Sequence, residues 1–459
     1  MTSYFFCGIG GSGMLPLAMI LQGQGVTIAG SDRGHDQGRS PEKFEFLSKN
    51  GIHIFPQDGL GLTKDFDALV ISSAVEDTIP EVKRAKELGI PILKRADILA
   101  QLFNQAELRI GIGGTSGKST TTGMLAWILS QMNKNPTVMN GANFLNFVSS
   151  KTPFASALAG DKNLFVTECD ESDGSIILYQ STIAVLNNIA LDHKPVEELK
   201  PIFATFLNQS QKQVLNSDND AVASMADSYK NTALTVGIDN PSAQLRATSL
   251  RHSPTGISAQ IQYVTTGEVA NLSLRLIGRH NIENALCAMG AALLLGINLS
   301  DSCRILGEFQ GVGRRLQTVK NNNNISVIDD FAHNPDKIRA TLHSLNEFSG
   351  RLLVMFQMHG YKPFELMKDE LLAAFTEGLK KDDILYMPDV LFMGGTTEKT
   401  YTSQQFIADC SLNGLNAIYA PSRNEIGKLI ESKAKSGDRI VIMGARDDTL
   451  TEFAKGIKI

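Results

Sequence analysis

The stretch "LRIGIGGTSGKSTTTGMLAWILSQM" (residues 108–132) decides the fold. A strand-like run, Leu108-Arg109-Ile110, leads into a glycine loop. Met124, Leu125, Ile128, Leu129 and Met132 then recur at helical spacing, so the loop joins a strand to a helix. Such a junction brings backbone N–H groups close to phosphate at the electropositive end of the helix. Gly114, Thr115, Ser116, Gly117, Lys118, Ser119 and Thr120 are therefore the candidate nucleotide-binding residues. Lys118 is suited to the β- and γ-phosphates, and the Ser119 hydroxyl to an oxygen on Mg²⁺. The loop misses the commonest phosphate-loop spacing by one residue: the first glycine is expected at Ile112 and stands at Gly111.

A second loop, "GIGGSGM" (8–14), has the same strand–helix context but no lysine. Gly8, Gly10, Gly11, Ser12, Gly13 and Met14 suit a diphosphate that is held and not cleaved, and a plain tight turn is the competing reading. "VTIAGSD" (26–32), "ALVISSAV" (68–75) and "IPILKRADILAQLF" (90–103) continue an alternation of strands and helices. This predicts a doubly wound sheet over residues 1–106, whose ligand lies at the carboxyl ends of the strands. Those ends add Ser31, Asp32, Ser72, Ser73 and Ala74 to the candidates.

At 459 residues the chain is too long for one core. A net charge of −5 argues against nucleic acid or an anionic membrane as the main partner. No run approaches a membrane span, the N-terminal apolar segment has no basic start, and five scattered cysteines read as reduced thiols. The expected setting is the cytoplasm, with the chain a monomer or weak homodimer.

A second α/β unit is expected at 107–318, ending in an antiparallel addition near 244–276, and a third, Rossmann-like, at 319–459. In "LFVTECDESDGS" (164–175), period-2 alternation puts Glu168 and Asp170 on one face of a strand end, where a nucleotide's Mg²⁺ is held; a solvated acidic loop is the alternative. His193, ending the next strand, reads equally as a second metal ligand or a surface residue. Asn281 and Asn284, one helical turn apart, can address one planar ligand or merely cap the helix. Arg314 and Arg315 lie in "GVGRRLQ" (311–317), and Asp329, Asp330 and His333 in "DDFAHNPDK" (329–337).

Taken in order, GxGGxGM, GTSGKSTTT, ECDESDGS, ALDH, GRHNxxNALCA, GVGRRLQ and DDFAHNPDK resemble the Mur ligase family over essentially the whole chain. The resemblance implies three α/β domains: a Rossmann-like UDP-sugar domain, a central ATPase-like domain and a C-terminal amine-binding domain. It also implies an ADP-forming amide-bond ligase of peptidoglycan precursor synthesis, using ATP and Mg²⁺. UDP-N-acetylmuramate would be activated as an acyl phosphate and attacked by an amine, L-alanine being expected and a tripeptide or another amine the alternatives. By the same resemblance Ser119, Glu168 and His193 hold metal, Asn281 and Asn284 the adenine, Asp330 the ribose. Lys118, His193, Arg315 and His333 then serve the phosphoryl transfer. Pro195, Gly360 and Pro363 depart from the family pattern, the last two in the amine-binding domain. A nicotinamide-dependent oxidoreductase explains the first loop but not Lys118-Ser119. A phosphate-loop kinase explains the second but not the first domain, and a non-enzymatic UDP-sugar sensor would need the loops but no amine site.

Overall fold

A computed structural model describes residues 2–190, 195–391, 400–445, 447 and 449–459. It contains three sheets. The N-terminal sheet is built from β1 (Ser3–Cys7), β2 (Thr27–Ser31), β3 (His53–Phe55), β4 (Ala68–Ile71) and β5 (Ile92–Lys94) in the order β3-β2-β1-β4-β5. All four strand pairings in it are parallel. Its alternation is physical: Phe5 and Cys7 pack into the core on one face of β1, Phe6 into the core on the other. The winding reverses between β1 and β4, which opens a crevice at the carboxyl ends of those strands.

The central sheet has ten strands: β6 (Leu108–Gly113), β7 (Pro136–Met139), β8 (Ala157–Leu158), β9 (Asp161–Glu168), β10 (Ile183–Leu186), β11 (Lys212–Asn216), β12 (Ala233–Gly237), β13 (Leu245–Ser253), β14 (Gly256–Tyr263) and β15 (Glu268–Leu274). β6 sits between β9 and β10, parallel to both, so the second glycine loop emerges with a strand end on either side. The β-rich addition is only partly antiparallel. β13 continues the parallel sheet beside β12, and β14 pairs antiparallel with β15.

The C-terminal sheet comprises β16 (Gln317–Asn322), β17 (Ile325–Asp330), β18 (Leu352–Gln357), β19 (Ile384–Met387), β20 (Ala417–Tyr419) and β21 (Arg439–Gly444), in the order β16-β17-β21-β18-β19-β20. β18 is buried along its whole length, and Leu352, Val354 and Phe356 enter one core while Leu353 and Met355 enter the other. A strand covered on both faces reads as one continuous apolar run, as "LLVMF" does. Asn323 and Asn324, both at positive φ (51° and 59°), form the two-residue turn joining antiparallel β16 and β17.

By contacts the chain divides into two compact units: residues 1–251, 256–275 and 279–312 form one, and 252–255, 276–278 and 313–459 the other. Within the first unit the N-terminal and central sheets share a core in which Phe103 packs edge-on against Phe165 and Tyr179. No helix among the described residues is long and apolar enough to cross a membrane.

Candidate functional site

The loop after β6 begins the helix Lys118–Gln131, capped by Gly117 at φ 83°. That conformation disfavours any side chain, and space forbids one: a Cβ on Gly117 would stand 2.2 Å from Asn284 Oδ1. Gly117→Ala is expected to cost about 2 kcal/mol or more of stability and to deform the loop. Urea titration checks this, and an unchanged midpoint would refute it.

The loop's two chemical side chains meet two carboxylates at the end of β9. Lys118 Nζ lies 2.6 Å from Glu171 Oε2 and donates to the Gly114 carbonyl at 2.6 Å; Ser119 Oγ donates to Glu168 Oε2 at 2.7 Å. Lys118 and Glu171 side chains are only 17% and 4% exposed. Burial works against the lysine's charge, but Glu171, backed by Asp170 and Glu168, outweighs it and holds the pKa above the usual lysine value. Alternation places Glu168 and Asp170 on one strand face, but Asp170 lies beyond the strand. β9 ends at Glu168, period-2 alternation stops there, and Asp170 turns to accept from the Ser172 amide and hydroxyl. Glu171 takes the place beside the lysine.

The other wall comes from β10. Asn188 Oδ1 accepts from the Thr115 hydroxyl and the Ser116 amide at 2.8 and 2.9 Å. Asn187 Nδ2 donates to Thr121 Oγ1 at 2.9 Å and lies 3.3 Å from Asn284 Oδ1. Asn284 Nδ2 in turn donates to Asn281 Oδ1 at 3.3 Å. Asn281 and Asn284 are both buried, and Asn284 Oδ1 accepts from Thr121 Oγ1 of the helix Lys118–Gln131. Sequence reading missed Asn187 and Asn188, and it saw Glu171 only as one of the acidic residues at the strand end, not as the partner of Lys118. His193 lies outside the described residues. Pro195 is the exposed N-cap of the helix Val196–Asn208.

These residues fit a nucleotide with its divalent cation. A lysine and a helix N-terminus would face a phosphate, and Ser119 and Glu168 would supply hard oxygen donors. Two buried amide oxygens nearby, Asn140 Oδ1 and Asn187 Oδ1, have no partner among the described residues and suit a metal's bound waters.

The first loop is more self-contained than its glycines suggested. The Gly8 and Ile9 amides donate to Ser31 O, Gly11 to Gly8 O, and Gly10 to Asp32 Oδ2 at 2.8 Å. Asp32 Oδ1 accepts from Gly34, so both its oxygens shape the loop. Ser31 does not face the crevice: it is fully buried, its hydroxyl held by the buried Glu81 at 2.8 Å. Met14 is likewise buried, whereas Ser73 and Ala74 are exposed at the end of β4 and Ser72 half-buried.

In the C-terminal unit, Arg315 lies over the Phe331 ring, 4.6 Å from its centroid, between two residues at left-handed φ, Arg314 (57°) and Leu316 (47°). Such backbone is strained in non-glycine residues. Arg314 pairs with buried Asp329 at 3.3 Å. Asp330 accepts from the Thr341 hydroxyl, and burial pushes its carboxyl up against that bond and the Arg315 charge. His333 Nδ1–H donates to Phe331 O at 2.8 Å, which leaves Nε2 with the lone pair. Burial, then the Lys337, His359 and Arg315 charges, push its pKa down to about 3. A neutral, half-buried histidine of this kind stabilises the fold above the unfolded pKa of about 6.5, and this is lost as pH falls from there toward 3. Urea stability of His333→Gln should therefore fall less than wild type between pH 7 and 5, by about 2 kcal/mol. Parallel pH profiles would rule that out. Gly360 caps the helix Tyr361–Gly378 at φ 85°, with Pro363 in its first turn, so neither position offers a charged side chain.

Comparison with known proteins matches three family descriptions along the chain: Mur ligase family, catalytic domain (residues 3–107), Mur ligase middle domain (112–292) and Mur ligase, glutamate ligase domain (314–446). The UDP-N-acetylmuramate–L-alanine ligase of Geotalea uraniireducens is 34% identical over 467 residues, covering 98% of each chain. That of Rickettsia prowazekii is 30% identical, over 96% of this chain and 90% of its own. In fold, the chain is similar to a UDP-N-acetylmuramate-alanine ligase from Thermotoga maritima, with TM-score 0.80 and 24% identity over 99% of this chain and 98% of the other. It is also similar to a murein peptide ligase from Psychrobacter arcticus, with TM-score 0.73 and 23% identity over the full length of both.

Proposed function

The chain belongs to the Mur ligase family, and from that premise we propose that it joins L-alanine to the lactyl carboxylate of UDP-N-acetylmuramate, forming ADP and phosphate. The observation that carries the chemistry is the pairing of Lys118 with Glu171 and of Ser119 with Glu168. ATP would supply the phosphoryl group that turns the carboxylate into an acyl phosphate, with Mg²⁺ neutralising its phosphates. Lys118 would take the β- and γ-phosphates in exchange for Glu171. Ser119 and Glu168 would hold the metal, and the capped loop would keep these donors aimed without covalent chemistry of its own. Neutral His333 can accept a proton or a hydrogen bond at Nε2 but does not act as an acid near neutral pH. The first loop would keep the UDP-sugar, and the C-terminal unit the amine.

Full-length relatives named for L-alanine favour that amine. The test is phosphate release with ATP, Mg²⁺ and UDP-N-acetylmuramate, against a panel of L-alanine, other amino acids and the tripeptide L-alanyl-γ-D-glutamyl-meso-diaminopimelate. Release that requires both the UDP-sugar and L-alanine supports the proposal. Release with the tripeptide alone would move the chain to a recycling role, and release independent of any amine would refute a ligase.

A further inference from the structure

Asn187 follows β10 directly, and its amide donates to the carbonyl of Gly113, the last residue of β6, at 3.1 Å. The strand ladder thus carries it to the root of the second glycine loop. A Cβ placed on Gly117 would stand 2.8 Å from Asn187 Nδ2, and one placed on Gly114 would stand 3.1 Å from Asn187 Cβ. Both glycines have positive φ, 139° at Gly114 and 83° at Gly117. Asn187 therefore fills the space that side chains would need at both positions, and the loop closes down on it.

The donors of Asn187 reach three elements. Nδ2 donates to Thr121 Oγ1 at 2.9 Å, and lies 3.3 Å from Asn284 Oδ1 and 3.5 Å from the Ser116 carbonyl. The Thr121 hydroxyl donates in turn to Asn284 Oδ1 at 3.4 Å. Asn187, Thr121 and Asn284 are 2%, 0% and 5% exposed, so this ring of three side chains is closed to water. Hydrogen bonds in such surroundings are strong, and a broken one is costly. The ring ties the end of β10 to the start of the helix Lys118–Gln131 and to the helix Arg279–Leu294. Thr121 also donates its amide to the Gly117 carbonyl at 2.9 Å. Lys118 lies between those two residues and opens the helix, so what holds Gly117 and Thr121 sets the direction in which Lys118 leaves the backbone.

We propose that Asn187 is a positioning residue for Lys118. It fixes the turn at Gly117 from behind, so that the ammonium is aimed before the nucleotide arrives. This rests on the proposed function, in which Lys118 takes the phosphates of ATP. Misplacing a reacting or charge-neutralising group by about 1 Å costs about 100-fold in rate. Truncating the carboxamide leaves a void into which the loop can relax.

Steady-state kinetics with ATP, Mg²⁺, UDP-N-acetylmuramate and L-alanine test this on the full chain. Asn187→Ala is expected to lower kcat by about 30-fold while KM for ATP changes by less than about threefold. Asn187→Leu fills the same space without donors and guards against a poorly folded alanine variant; it should lose about as much kcat. Thr121→Val removes the acceptor on the helix and should also lower kcat. The double variant Asn187→Ala with Thr121→Val should fall no further than the worse single variant, because the two residues act as one unit. Wild-type kcat in Asn187→Leu would reduce the residue to space filling and overturn the inference. A rise in KM for ATP at unchanged kcat, or losses that multiply in the double variant, would overturn it too. A wild-type chain with no turnover that requires ATP and the UDP-sugar would overturn the proposed function, and this inference with it.

Discussion

Lys118→Ala is expected to lower turnover by about a thousandfold while leaving UDP-sugar affinity within about twofold of wild type. The lysine is the cation of the second glycine loop, and the first loop lies at a different sheet. The magnitude is that of removing one preorganised donor from developing charge in a site shielded from water. The variant has a second consequence. Glu171, 4% exposed in its side chain and 2.6 Å from the lysine, loses its counter-charge. Removing one partner of a buried pair costs about 3 kcal/mol, because the remaining carboxylate is left uncompensated. A drop in activity alone could therefore report misfolding. The double variant Lys118→Met with Glu171→Gln separates the two, since it removes both charges and keeps similar volumes. Urea stability should return toward wild type and turnover should not. If the double variant regains turnover, Lys118 has no direct part in phosphoryl transfer, and equal loss of UDP-sugar affinity in Lys118→Ala would show that the loops do not divide the two ligands.

Glu168→Gln should raise the Mg²⁺ concentration needed for half-maximal turnover by about 100-fold, with the protein still folded. Glutamine keeps the shape and one acceptor oxygen, so the hydrogen bond from Ser119, 2.7 Å in the wild type, can be retained. What it loses is the negative charge and hard oxygen that a divalent cation prefers. Maximal turnover at saturating metal should fall far less than turnover at low metal, which distinguishes a lost ligand from a damaged loop. Kinetic titration with Mg²⁺ at saturating ATP is the measurement. An unchanged half-saturation point would return Glu168 to a purely structural role, that of holding the Ser119 hydroxyl.

Glycine spacing and alternation of apolar runs sufficed to place three α/β sheets and the two glycine loops that join strand to helix. These are local properties: a helix period of 3.6, a strand period of 2 and the backbone freedom of glycine act over a few residues, so a chain of this order carries them visibly. Which side chains then face each other was a matter of tertiary contact. Glu171 reaches Lys118 because β9 ends at Glu168 and the chain turns, a point that alternation could not foresee. Ser31 and Asp32 looked like ligand residues at a strand end. The packing of Glu81 against Ser31 buries that residue, and the Gly10 and Gly34 amides occupy the two oxygens of half-buried Asp32. Asn187 and Asn284, 97 positions apart, meet only because β10 and the helix Arg279–Leu294 flank the same loop. Arg95 reaches across β4 to Gly13 only once five parallel strands have been laid in their order. Long-range pairings of this kind depend on where elements stop and how sheets are wound, and those are set by burial summed over the whole core, not by neighbours along the chain.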